Sequence, residues 1–103
     1  MSNYEVIMSR QALITLKRNI KFLRKFSIPY SKKIESRIDS SIKKLKSFPN
    51  IHPIFKKTNK NVYRKIIVEK RYLVVYTVKQ QKVLVYYILD GRQAYYKYFK
   101  SLK

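Results

Sequence analysis

The chain has 103 residues, enough for one domain and too few for two, and it carries 25 Lys and Arg against five Asp and Glu, a formal net charge of +20. With 46% apolar residues it is a folding sequence rather than a disordered polycation, and the charge points to a polyanionic partner: nucleic acid, an anionic surface or an acidic protein. It has no cysteine, one histidine and one glycine, which removes disulfides, thiolate chemistry, metal clusters, Ser-His-Asp triads and Gly-rich phosphate loops, so neither a metal nor a cofactor is expected.

In chain order, residues Tyr4 to Met8 alternate loosely and predict a short strand. The segment before them lacks a basic region followed by a long apolar run, so no signal peptide is expected. Ser9 stands where a helix N-cap is wanted. From Arg10 the period changes, and Leu13, Leu16, Ile20 and Leu23 fall on one helical face. Ser27-Ile28-Pro29 interrupts the pattern, a second stripe follows at Ile34, Ile38, Ile42, Leu45 and Phe48, and Pro49 stops it. Two amphipathic helices joined this closely predict an antiparallel helical hairpin.

Residues 49 to 61, with Pro49, Pro53 and three asparagines, read as a loop bearing Lys56, Lys57 and Lys60. Val62–Val68, Tyr72–Val78 and Val83–Leu89 are rich in β-branched and aromatic residues and predict strands. The polar breaks between them are short enough to permit only hairpins, hence an antiparallel meander, although neither break contains Asn-Gly or Asp-Gly to name its turn type. After Asp90-Gly91, residues 92 to 101 suit a short terminal helix carrying Tyr95, Tyr96, Tyr98 and Phe99. The expected fold is α+β, in the order β-α-α-β-β-β with a C-terminal helix, the helical hairpin packed on one face of the sheet across a single domain of residues 1–103.

What remains for chemistry is Arg, Lys and Tyr. These suffice for one reaction class, RNA cleavage by the substrate's own 2′-OH, in which the protein places the phosphate, stabilises its extra charge and helps move protons. Arg64 on the first meander strand, Arg71 at the turn into the second and Arg92 just after the third are the candidates, with Tyr96 to stack or relay a proton and Lys56 and Lys57 to assist. The meander predicts that Arg71 and Arg92 approach each other. Residues 10 to 46 hold 12 Lys and Arg against Glu35 and Asp39, and Lys17, Arg18, Lys21, Lys43 and Lys44 are candidates for contacts to nucleic-acid phosphates. His52, between Ile51 and Pro53, reads as an ordinary loop residue. No stretch approaches the length of a membrane span, and both apolar stripes are needed to cover the sheet, so a cytoplasmic protein without a membrane partner is expected.

The opening Tyr4-Glu5-Val6, the Ser-x-x-Ala at Ser9 to Ala12, and the run Tyr63-Arg64, Tyr72-Leu73-Val74-Val75-Tyr76, Val83-Leu84-Val85 and Gly91-Arg92-Gln93 together resemble the RelE/ParE toxin superfamily over nearly the whole chain. The resemblance implies the toxin of a type II toxin–antitoxin pair, held inactive by a cognate antitoxin that is expected to be small and acidic. RelE-like members cut mRNA in the ribosomal A site, whereas ParE-like members inhibit DNA gyrase. Arg64 matches a basic position of the nuclease branch, and Arg92 matches, within one position, the arginine after its last strand. Leu73 stands where that branch has an arginine after the strand-opening tyrosine, and Arg71 lies one position before Tyr72 instead. Three readings follow: a ribosome-dependent mRNA endonuclease, placed first; a gyrase inhibitor acting by binding; and an inactive toxin kept as an antitoxin-binding co-repressor.

Overall fold

Ser9 caps the first helix as its position predicts, its Oγ accepting the Ala12 N–H at 3.0 Å. In the computed structural model, which describes residues 3–92 and 96–103, strand β1 (Glu5–Met8) leads into α1 (Arg10–Arg24). The chain turns at Ser27, which caps α2 (Ile28–Lys43) through the Tyr30 N–H with Pro29 in its first turn. A 3₁₀ turn (Lys44–Lys46) follows, then β2 (Ile54–Lys57), β3 (Val62–Val68), β4 (Tyr72–Lys79), β5 (Lys82–Asp90) and α3 (Tyr96–Ser101). Gln93 and Tyr95 lie outside the described residues.

The α+β order is as expected, with one correction. The segment read as loop contains β2, so Lys56 and Lys57 lie on a strand. Four residues between Pro53 and Thr58 carry too short a pattern to read locally; the strand exists because it pairs antiparallel with β3. The five strands run β1-β5-β4-β3-β2, the meander being antiparallel and β1 lying parallel to β5.

The hairpins close on strained residues rather than on glycine. Glu69 and Lys70 both have positive φ, at 53° and 58°, the sign pattern of a type I′ turn, and Gln80 has φ 57°. Their conformation matches the strand twist at a local steric cost.

Alternation along the strands divides the core in two. On the hairpin side, Ile66, Val68, Tyr72, Val74, Tyr76, Val83, Val85 and Ile88 meet Ala12, Ile20, Leu23, Ile34, Ile38, Ile42 and Leu45. On the other side, Tyr63, Leu73, Val75 and Leu89 meet Leu102, just past α3. The α1 stripe is rotated from its expected position: Leu13 is 44% exposed, while Ala12, Thr15 and Asn19 are buried. Phe48, expected in the second stripe, is also exposed, because the helix has already ended.

The buried polar pair on α1 has a structural task. Beta-1 pairs with β5 only through Val85, which leaves the later outer edge of β5 open. There Ser9 Oγ donates to the Tyr86 carbonyl, Thr15 Oγ1 accepts the Ile88 N–H at 3.0 Å, and Asn19 Nδ2 donates to the Ile88 carbonyl at 3.0 Å. Side chains of α1 thus complete the edge that a sixth strand would otherwise cover. Among the described residues no helix is long and apolar enough to cross a membrane.

Candidate functional site

The end of β5 brings Arg71 and Arg92 together on one carboxylate. Tyr72 opens β4 opposite Asp90, the last residue of β5, so the residue before one and the residues after the other share the same end of the sheet. Arg71 grips Asp90 with two prongs, Nη2 to Oδ2 at 2.8 Å and Nε at 3.2 Å from both oxygens. The Arg92 backbone N–H also reaches Oδ1 at 3.0 Å, and its Nε lies 3.9 Å from the same oxygen. Gly91 N–H donates to the Arg71 carbonyl, and a Cβ at Gly91 would stand 2.7 Å from that oxygen, so this close crossing needs the chain's sole glycine.

Two guanidiniums share one carboxylate at this corner, so one positive charge is left over. Burial pushes the Asp90 carboxyl up, but the Arg71 hydrogen bonds, the Arg92 N–H and both guanidinium charges together outweigh it and hold the group below the usual carboxylate range. The hydrogen bond to Asp90 in turn raises Arg71. The Arg71 guanidinium lies 5.1 Å from the centre of the Tyr72 ring and its side chain is 17% exposed. Arg92 is 68% exposed, its guanidinium reaching Asp90 only at 3.9 Å and otherwise facing solvent.

The other two residues of the expected phosphate site are elsewhere. Arg64 lies opposite Tyr76 on β4, four positions along from the Tyr72 level, roughly 13 Å at ~3.3 Å per residue. Its Nη1 donates to the His52 carbonyl at 2.7 Å. The same loop is held from below by Tyr76, whose hydroxyl donates to the Pro49 carbonyl at 2.6 Å and whose ring meets His52 edge-on at 6.3 Å. Burial raises the Tyr76 phenol to about 12, and burial, then the Arg64 charge, lower His52. Arg64 shares its face with Ile66 and Val68, the face of the helical hairpin. Tyr96 belongs to α3, which covers the opposite face, and its ring lies parallel to Phe99 at 6.2 Å with Lys100 over it at 5.0 Å.

Lys56 clamps α3. Its Nζ donates to the Phe99 carbonyl in the last turn of α3 at 2.7 Å and to the Leu102 carbonyl just past it at 2.9 Å, and it lies 4.8 Å from the Phe99 ring centre. Lys57 is exposed at the sheet edge. Lys17, Arg18 and Lys21 are exposed on α1, Lys44 is exposed where the 3₁₀ turn begins, and Lys43 pairs with Asp39 at 3.1 Å on the surface. The structure therefore gathers Arg71 and Arg92, with Asp90 between them, and separates Arg64, Tyr96 and Lys56 from them. Asp90 escaped the sequence reading; the available signal was an acid flanked by two candidate arginines in a chain with only five acids.

A comparison with curated protein sequences finds no match. Among solved structures, a chain described as the chromosomal ParDE TA system from P. aeruginosa superposes with a TM-score of 0.72 at 16% identity, covering 84% of this chain and 95% of that one, which speaks for the shared fold. The family model described as ParE toxin of type II toxin-antitoxin system, parDE, matches residues 6–95. With that pattern running from β1 past the end of β5, the chain belongs to the ParE toxin family of type II toxin–antitoxin systems.

Proposed function

We propose that this toxin acts by binding a protein target rather than by cutting RNA, and that the target is DNA gyrase. The observation that carries the reading is the Arg71–Asp90 pair: an arginine that should hold a phosphate is already neutralised by a carboxylate 2.8 Å away. Charge stabilisation of a phosphorane needs cations aimed at the reacting atoms and unspent. Here Arg64 and Arg71 are engaged within the protein, and Tyr96 lies on α3 against the far face of the sheet. The family membership agrees with the gyrase-directed branch of the superfamily. The cognate antitoxin is proposed to be a small acidic protein, since a surface of +20 is best complemented by opposite charge that steers encounter while apolar contact gives affinity.

The test pairs two assays on the purified toxin. A supercoiling assay with gyrase is expected to show inhibition relieved by the antitoxin. A reconstituted translation reaction is expected to leave ribosome-bound mRNA intact. New message ends that require ribosomes and vanish in folded Arg92→Ala would replace this reading with the endonuclease one. That second reading draws on the largely exposed Arg92 and on the exposed Lys17, Arg18, Lys21, Lys44 and Lys57, which suit phosphate contact. Retained antitoxin binding without growth arrest or either activity would identify an inactive toxin kept as a co-repressor.

A further inference from the structure

The turn joining α1 and α2 leaves four large apolar or aromatic side chains in water. Phe22 is 47% exposed, Phe26 75%, Ile28 50% and Tyr30 39%. Single exposed apolar residues are ordinary, but a contiguous group rimmed by charge marks an interaction surface. The Phe22 and Phe26 rings meet edge to face at 5.1 Å, and Ile28 and Tyr30 stand in the first turn of α2, immediately after the connection. Phe22 also shares a surface hollow with Arg71, Asp90 and Arg92, which joins the hairpin tip to the arginine corner.

The rim is cationic. Arg18 stands one helical turn before Phe22 on the same face of α1, and Lys21 and Lys25 occupy the neighbouring row, all exposed. The two acids near this end are both engaged: Asp90 is buried and shared by Arg71 and Arg92, and Glu69, in the turn before Arg71, pairs with Arg37 at 3.3 Å. We infer that the hairpin tip, Phe22, Phe26, Ile28 and Tyr30 within its ring of Arg18, Lys21, Lys25 and Arg92, is the face that docks on the toxin's protein target, at an acidic surface offering an apolar recess.

Three features select this occupant. Aromatic side chains beside arginine are the composition of protein-interface anchors. A nucleic-acid strand would want a run of aromatic rings interleaved with cations, whereas this patch includes the aliphatic Ile28, which has no π-face to stack on. The other apolar regions fit this occupant less well: the groove of Met8, Leu13, Leu16, Ile38 and Ile42 lies between the helices, suits a bound chain segment and carries Glu35 and Asp39 beside Lys32 on its rim, and the hollow of Phe48, Ile51 and His52 is lined by one cation, Lys44. The tip is a ridge with the right sign, made to enter a concavity on a folded protein.

The inference rests on the binding reading above, so the test separates the two. Two full-length variants are compared with wild type: Phe22→Ser with Phe26→Ser, which removes the apolar ridge, and Arg18→Glu with Lys21→Glu, which reverses the rim. Each is assayed by circular dichroism, antitoxin co-purification, gyrase supercoiling, RNA binding and growth arrest. Both are expected to fold, to retain the antitoxin, to inhibit gyrase at least tenfold less well and to lose growth arrest. Wild-type inhibition and arrest in either folded variant would overturn the tip while leaving the gyrase reading intact. A wild-type toxin that does not touch gyrase sinks that reading, and growth arrest then decides the tip alone: arrest retained refutes it, arrest lost with antitoxin and RNA binding unchanged supports it. Antitoxin capture lost in both variants would give the patch to the antitoxin, and RNA binding lost in parallel with arrest would give it to nucleic acid; either overturns the inference.

Discussion

Replacing Asp90 by Asn tests the corner on which the functional reading depends. The substitution keeps the shape and one carbonyl acceptor for Arg71 but removes the charge and the second prong. The side chains concerned are 17% and 7% exposed, so the pair is neither a screened surface bridge nor a dry one. Breaking a buried pair typically costs 3–5 kcal/mol; with partial access of Arg71 to water and one surviving hydrogen bond, about 2–3 kcal/mol is expected. For a chain of this size that lowers the melting temperature by roughly 10–20 °C. The pH dependence has a definite sign. The folded carboxyl is held below its unfolded value of ~3.9, so the stabilisation is present above that pH and is lost as pH falls through the folded pKa. Urea titrations of wild type and Asp90→Asn from neutral pH downward should therefore converge on acidification. Arg71, released, should also bind RNA more strongly, steepening the salt dependence by about one phosphate contact. A loss under about 0.5 kcal/mol at neutral pH, with unchanged RNA affinity, would mean that Asp90 does not neutralise Arg71 and would remove the main support for a non-cutting toxin.

Other perturbations test the scaffold. Asn19→Leu should cost about 1–3 kcal/mol by chemical denaturation, because the Ile88 carbonyl loses its buried donor; a neutral result would show that the β5 edge does not need α1. Lys56→Met should leave global stability nearly unchanged yet speed amide hydrogen exchange in α3, whose C-terminal end it holds through the Phe99 and Leu102 carbonyls; protection equal to wild type would show that Leu102 burial alone secures the helix. Lys70→Gly should stabilise the chain by roughly 0.5–1 kcal/mol by relieving its positive φ, seen as a higher denaturation midpoint, and destabilisation would contradict the turn geometry.

Much of the architecture is written in local pattern. The periodicity of residues 10 to 45, the breaks at Ser27-Ile28-Pro29 and Pro49, and the β-branched runs from Val62 onward specify the helical hairpin and meander, because each element buries one face at its own period. The excess of cations and the absence of cysteine likewise need no coordinates. Tertiary structure decided what depends on partners distant in sequence. Beta-2 exists through pairing with β3, and Thr15 and Asn19 are buried because β1 stops short and leaves β5 in need of hydrogen bonds. The rotation that buries them puts Leu13 outside. The arginines show the difference most clearly. Sequence identified Arg64, Arg71 and Arg92 as chemically able, but ability depends on what each guanidinium already holds. Only folding sets Asp90 against Arg71, gives Arg64 to the His52 carbonyl and leaves Arg92 largely in solvent with a longer, 3.9 Å approach to the same carboxylate, since a charge's availability is fixed by the groups around it in space and not by its neighbours along the chain.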